Sequence, residues 1–283
     1  MDIAKKYQHE QVISFEVFPP KTEKGMQNLI SALTDLKKYN PGFISVTYGA
    51  GGSTREKTLE IALIIQDQLK MMPLVHFTCV GSGREEIREY LEHVKKLGIR
   101  NIMALRGDPP SGEVSFTPHP DGFSYANELV EYIHEIDGFT IGVAGYPEGH
   151  IEAPDIHTDI ANLKKKVDAG SDYIITQLFF DNDDFFRFVD RARAAGIDVP
   201  IVPGIMPVTN FNQIEKVTRM CAPKIPGTLT RALEQCDSRD DMCQAGIQYT
   251  IAQCRQLKEQ GVPGFHFYTL NRSGVVSAIL DAL

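Results

Sequence analysis

Short apolar runs recur along the chain, and each is followed by a stretch whose apolar positions fall three and four apart. The first run, residues 12–18, is rich in β-branched and aromatic side chains and stops at Pro19-Pro20. Proline has no N–H to give a sheet ladder, so a strand ends there. Residues 23–38 then place Met26, Leu29, Ile30, Leu33 and Leu36 on one side of a helix. The alternation continues with a strand at 43–47, a glycine-rich turn at 48–52, and a helix through Leu69 that Ser53 or Thr54 can cap. Strand 74–79 precedes helix 84–97, and strand 99–105 precedes a long Pro- and Gly-containing loop and helix 125–136. Strand 139–144 and helix 155–169 follow, then strand 173–177 and helix 181–194. A seventh strand at 199–202 leads to a helix starting near Asn210. Residues 223–260 predict extra helix without a strand, before strand 265–268 and helix 273–283.

The strands lack clean apolar–polar alternation, as expected when both faces of a parallel sheet are buried. Eight strand-then-helix units in 283 residues fit a single (β/α)8 barrel, with extra helices before the last strand. A doubly wound open sheet is the alternative; it needs a topological break that the chain does not show. No linker or low-complexity segment divides residues 1–283, which read as one domain.

Composition narrows the function classes. A net charge of −8 speaks against a nucleic-acid partner. No apolar run reaches the roughly 20 residues of a membrane span, and the polar start Met1-Asp2-Ile3-Ala4-Lys5-Lys6 has no signal-peptide core. Cys79, Cys221, Cys236, Cys243 and Cys254 are scattered and form no C-x-x-C pair, which predicts reduced thiols in a cytoplasm and no metal site.

In a parallel barrel, chemistry collects where strands end. The fourth strand ends in Arg106-Gly107-Asp108, a cation and a carboxylate around a glycine, followed by Pro109-Pro110. Alone this is as consistent with a surface ion pair as with a site; other strands ending the same way favour the site. Glu16 sits within strand one between Phe15 and Val17. It reads either as an inward polar residue satisfied by a cation or as a general acid whose apolar neighbours raise its pKa. Thr47-Tyr48-Gly49 suits a phosphate or a ring edge, or an ordinary turn. His76 lies in strand three without companion metal ligands, and Tyr146, Glu148 and His150 follow strand five without metal spacing. Gln177 can read a heterocycle edge or close a loop, and Arg272 can grip a carboxylate or face solvent. No G-x-G-x-x-G, Walker or G-x-S-x-G motif is present, so a dinucleotide would bind without a Rossmann half.

Seven blocks in order resemble the methylenetetrahydrofolate reductase family: Ser14-Phe15-Glu16-Val17-Phe18-Pro19-Pro20-Lys21, Val46-Thr47-Tyr48-Gly49, Leu105-Arg106-Gly107-Asp108, Tyr146-Pro147-Glu148-Gly149-His150, Thr176-Gln177, Pro203-Gly204-Ile205-Met206-Pro207 and the stretch from Phe265 through Arg272. The length is similar to the short bacterial form, without the C-terminal regulatory domain and its S-adenosylmethionine control. The resemblance implies a barrel with non-covalent FAD, reduced by NADH or NADPH in ping-pong order. The product, 5-methyltetrahydrofolate, would supply methyl groups for methionine synthesis. It implies FAD contacts from Thr47, Tyr48, Ala50, His76, Arg106, Gly107, Asp108, Tyr125, Ala126, Tyr146, His150, Ala153, Asp159 and Lys166. Gln177, Gln213 and Arg272 would hold folate, Glu16 would supply the proton that opens its methylene bridge, and Asp108 would bond the pterin and tune the flavin. Val217 departs from the family, which can carry phenylalanine there. A proline-dehydrogenase-like flavin barrel and a non-redox folate-binding barrel are the competing readings. The oligomeric state and the choice of nicotinamide stay open.

Overall fold

The computed structural model describes residues 3–48, 55–107, 118–221 and 223–283. Residues 49–54, which hold the rest of the glycine-rich turn after Tyr48, Ala50 among them, and the capping residues, lie outside the described residues, as does Asp108.

All strand pairs are parallel: β1 (Val12–Val17), β2 (Phe43–Val46), β3 (Pro73–Thr78), β4 (Asn101–Leu105), β5 (Thr140–Gly145), β6 (Tyr173–Thr176), β7 (Ile201–Val202), β8 (Gly204–Ile205) and β9 (Gly264–Tyr268). Their order is β7-β6-β5-β4-β3-β2-β1-β9-β8. The two ends of that order, β7 and β8, are separated in the chain by Pro203 alone. The sheet therefore closes on itself as a (β/α)8-type barrel, and the open-sheet alternative is excluded.

The predicted seventh strand, 199–202, is two short strands. Ile201 and Val202 pair with Ile174 and Ile175 of β6, whereas Gly204 and Ile205 pair with His266 and Phe267 of β9. Pro203 cannot donate to a ladder, but its carbonyl accepts from the His266 N–H at 3.0 Å. The Gly204 N–H turns to the Thr176 hydroxyl instead, at 2.9 Å. A Cβ on Gly204 would stand 2.1 Å from the Thr176 carbonyl oxygen, so the joint needs glycine.

The helices are α1 (Ile3–His9), α2 (Glu23–Leu36), α3 (Arg55–Leu63), α4 (Arg84–Lys96), α5 (Ala126–Ile136), α6 (Ile156–Asp168), α7 (Asn182–Ala194), α8 (Phe211–Cys221), α9 (Gly227–Glu234), α10 (Arg239–Glu259) and α11 (Gly274–Leu280). The extra helix expected over 223–260 is α9 and α10. The polar start hides α1, which the apolar pattern does not predict: it is too short to show a period. Its Ile3 and Tyr7, four apart and so on one face, are buried with Val12, Phe43 and Tyr173 at the strand starts, where they cover the amino-terminal end of the barrel. Caps follow the expected chemistry: Asp155 accepts from Thr158 N at 2.8 Å to open α6, and Asp181 from Asp183 N at 3.0 Å to open α7. Among the described residues no helix is long and apolar enough to cross a membrane, and no cluster of metal-binding side chains occurs.

Candidate active site

Strand alternation decides what surrounds Glu16. Its sequence neighbours Phe15 and Val17 belong to the apolar layer beneath the helices, with Leu29 and Leu33 of α2. Side chains two apart share a face, so Glu16 points into the barrel with Ser14. Its neighbours there come from other strands: Glu16 Oε2 lies 3.4 Å from His76 Nε2 on β3 and 3.5 Å from His266 Nε2 on β9. Each imidazole is held by a serine, Ser45 Oγ on His76 Nε2 at 2.6 Å and Ser14 Oγ on His266 Nδ1 at 2.8 Å.

This corrects the expected raised pKa of Glu16. Burial does push it up, but the hydrogen bond with His266 and the charge of the two imidazoles outweigh burial and hold the carboxyl below its ordinary value. The apolar neighbours invoked from the sequence face away. Burial in turn holds His76 below the usual imidazole range, with Glu16 opposing it.

The backbone at Glu16 is pinned from the last strand. Its carbonyl accepts from Thr269 N at 3.2 Å and from Thr269 Oγ1 at 2.7 Å. The Asn271 amide brackets Phe18, accepting from its N–H at 3.0 Å and donating to its carbonyl at 2.8 Å. To do so Leu270 and Asn271 adopt left-handed φ of 50° and 58°, a conformation costly for leucine. Arg272 emerges from this clip exposed. Tyr268 donates its hydroxyl to the Thr176 carbonyl at 2.8 Å, bracing β9 to β6.

On the other side of the mouth a cleft of about 510 Å³ runs from the ends of β4 and β5 to the start of α5 and the inner face of α6. Of the residues expected to hold a cofactor, Arg106, Tyr125, Ala126, Tyr146, His150, Ala153, Asp159 and Lys166 line it. Asp159 and Lys166, seven apart on α6, do share a face. The Lys166 ammonium donates to the Ala144 carbonyl at 2.5 Å. Burial lowers its pKa to about 8, with Asp159 opposing, and burial raises that of Asp159. The Arg106 guanidinium meets Glu152 through both oxygens, at 2.5 and 2.8 Å. Tyr146 meets His150 edge to face, centroids 4.6 Å apart. Small side chains at Ala104, Ala126, Ala144 and Ala153 leave room between these polar groups. The arrangement suits a long ligand with a flat ring and an anionic middle.

Thr47, Tyr48 and His76 stand instead at the ends of β2 and β3, where the Tyr48 hydroxyl accepts from Arg55 Nε at 2.7 Å. Gly107 closes β4 at φ 93°, with the site of a Cβ 2.7 Å from Val80 Cγ1, so the exit of Arg106 requires glycine. Gln177 turns its Oε1 to the Leu178 N–H at 2.9 Å. Gln213 is tied to the loop before α8: it accepts from Thr209 N and Oγ1 at 2.8 and 2.7 Å and donates to the Pro207 carbonyl at 2.9 Å. Val217 lies in α8, its side chain outside the described residues.

The sequence reading did not single out Ser14, Ser45, His266, Glu152, Asn162 or Lys165. Ser14 carried a usable signal, two positions before Glu16 on the same strand face. Ser45 and His266 become neighbours through the pairs Glu16↔Ser45 and Ser14↔His266, which only the sheet register supplies.

A solved structure of an uncharacterized Clostridium thermocellum protein that binds two copies of 5-methyl-5,6,7,8-tetrahydrofolic acid shares the fold, with a TM-score of 0.65 at 15% identity over 98% of this chain and 96% of that one. Methylenetetrahydrofolate reductase (NADH) 1 of Arabidopsis thaliana is 44% identical over 93% of this chain and 47% of its own length. The 5,10-methylenetetrahydrofolate reductase of Escherichia coli (strain K12) is 40% identical over 96% of this chain and 90% of its own. The chain thus spans about half the length of the plant relative and most of the bacterial one. The methylenetetrahydrofolate reductase family model matches residues 2–283. With that match running through β1, the cleft and the last strand alike, the chain belongs to the methylenetetrahydrofolate reductase family.

Proposed function

We propose that this chain, as one catalytic unit, reduces 5,10-methylenetetrahydrofolate to 5-methyltetrahydrofolate with a nicotinamide nucleotide as donor and FAD as cofactor. The observation that carries the reading is the carboxyl of Glu16, only 20% exposed and set between two imidazoles at the barrel mouth. Family membership, and the name of the E. coli relative, support the substrate. The cleft fits FAD by its donor set: Arg106 and Lys166 are cations for a pyrophosphate, Asp159 can accept from a ribose, and Tyr146 offers an aromatic edge. When bound, FAD would supply the two-electron chemistry, accepting a hydride from the nicotinamide and delivering one to the folate.

What the protein adds is positioning and a proton. The folate's methylene bridge must open to an iminium before it accepts hydride, and opening requires a proton on the departing arylamine nitrogen. We assign its delivery to Glu16, whose carboxyl, held low in the ligand-free protein, takes the proton up before passing it to the amine. The Thr269 contacts fix the Glu16 backbone, so the carboxyl presents its proton from one place. Gln177, Gln213 and Arg272 are the folate contacts we infer, together with Asp108, which lies outside the described residues. The Arabidopsis relative is named for NADH, which makes NADH the first donor to test.

The test is anaerobic stopped-flow on FAD-loaded protein. NADH or NADPH should bleach the flavin, and methylenetetrahydrofolate should restore its colour in a separate phase. Protein that takes up no FAD would favour the non-redox barrel. Flavin reduced by proline but not reoxidised by the folate would favour the proline-dehydrogenase-like reading.

A further inference from the structure

The two imidazoles beside Glu16 are connected differently. His76 meets Ser45 and Glu16 with the same nitrogen, Nε2, at 2.6 and 3.4 Å, so the two contacts compete. His266 meets Ser14 with Nδ1 at 2.8 Å and Glu16 with Nε2 at 3.5 Å, so its ring joins them. That ring is fully buried and stacked on Phe43, centroids 5.8 Å apart. Ser14 is fully buried too, and its Oγ lies within reach of a second acceptor, the Phe265 carbonyl, at 3.3 Å.

The Ser14 hydroxyl has one proton and, at hydrogen-bond distance, two acceptors to choose between; the buried Tyr7 hydroxyl of α1 also faces it from the barrel floor. When it donates to Phe265, its lone pair receives Nδ1–H, and the bare Nε2 can accept from the Glu16 carboxylic acid. When it donates to Nδ1, the ring proton sits on Nε2 and is donated to the Glu16 carboxylate. The ring and the hydroxyl keep one proton each in both arrangements. The two differ by the single proton on Glu16, the one that passes to the substrate amine. Either way the three side chains are mutually paired, and the penalty for an unmet buried polar group is avoided.

We propose that Ser14 and His266 form a two-position hydrogen-bond switch that supports Glu16 both as acid and as carboxylate, which makes His266 a positioning residue for the proton donor. The catalytic meaning rests on the reading of Glu16 given under "Proposed function"; the switch itself does not. The other groups facing Glu16 cannot replace it. Tyr268 spends its hydroxyl on the Thr176 carbonyl, and His76 shares one nitrogen between Ser45 and Glu16.

The test uses the full chain, ligand-free, with ¹⁵N-labelled histidine and ¹³C-labelled glutamate, and Glu16→Gln to assign the carboxyl. As pH is varied, the His266 tautomer should change with the same midpoint as the Glu16 carboxyl. In Ser14→Ala a ring Nδ1–H would lack its partner, so the ring settles on Nε2–H and the acid loses its acceptor. The Glu16 midpoint should then fall by about one pH unit. His266→Phe keeps a buried ring but donates nothing to the carboxylate, so there the midpoint should rise by about as much. In FAD-loaded protein the pH profile of folate-dependent reoxidation should move in the same two directions, while reduction by NADH stays put. A His266 tautomer that stays constant through the Glu16 titration, or shifts of one sign in both variants, would overturn the switch. Folate-independent behaviour of the unmodified enzyme would sink the functional reading alone, because the tautomer measurement still decides the switch.

Discussion

Around Glu16 the mouth of the barrel is built from one carboxyl, two imidazoles and two serine hydroxyls, on β1, β2, β3 and β9. Across the mouth, on β4, β5 and α6, the groups are Arg106, Glu152, Asp159 and Lys166. The first region pairs a carboxyl, 20% exposed, with mostly buried groups whose protons can be rearranged. The second holds charges of both signs in a cleft open enough for Glu152 to stay 55% exposed. A proton is moved most easily where small rearrangements compensate it. An extended polar ligand is held best where charges stand ready to change partners. The proposed division of labour between proton donor and cofactor cradle rests on that difference in neighbours.

Loss of the carboxyl should break the comparison most visibly. In Glu16→Gln, folate-dependent reoxidation is expected to fall by roughly 10²–10⁴, the usual contribution of a positioned acid, with flavin reduction by NADH nearly intact. Stopped-flow separates the two half-reactions. Equal losses in both would mean that Glu16 shapes the mouth and gives no proton.

The cleft should respond to pH through Lys166. Burial lowers its pKa to about 8, so the ligand-free protein loses this ammonium as pH rises through that value. An anionic ligand prefers the ammonium. FAD affinity should therefore be full below that pH and decline above it by up to about tenfold per pH unit. Lys166→Met should bind FAD more weakly and flatten the profile, as read by flavin fluorescence titration. An inflection that survives the substitution would assign it to another group.

The smallest effect is expected at Glu152. Its pairing with Arg106 is exposed on the carboxylate side, and such pairs contribute about 0–1 kcal/mol. Glu152→Gln should lower thermal stability slightly. It should also tighten FAD by a few-fold, because a phosphate no longer competes with the carboxylate for the guanidinium. Weaker FAD binding in that variant would show that Glu152 orients Arg106 for the ligand.

Much of this site was legible before the fold was known, and the failures have one cause. The strand ends named Glu16, His76, Arg106 and Tyr146, and the helical spacing of Asp159 and Lys166 placed them on one face, as the cleft shows. The pKa of Glu16 was misjudged because Phe15 and Val17 are adjacent in sequence but opposite in space. Gln213 is tied to the loop before α8 by Thr209 and Pro207, contacts that its place in the sequence did not show.

Local rules, then, were enough for the order of strands and helices, for the turns at Pro19-Pro20 and Gly107, and for the barrel class, because hydrophobic period and backbone conformation act within a few residues. What needed the closed barrel was contact across strands. The splitting of the seventh strand at Pro203, the covering of the barrel floor by Ile3 and Tyr7, and the chain Ser14–His266–Glu16 each join residues that are far apart in sequence or wait on strand register. Register is set when all the strands pack around one axis, and only then does a histidine 250 residues downstream of Glu16 become its neighbour.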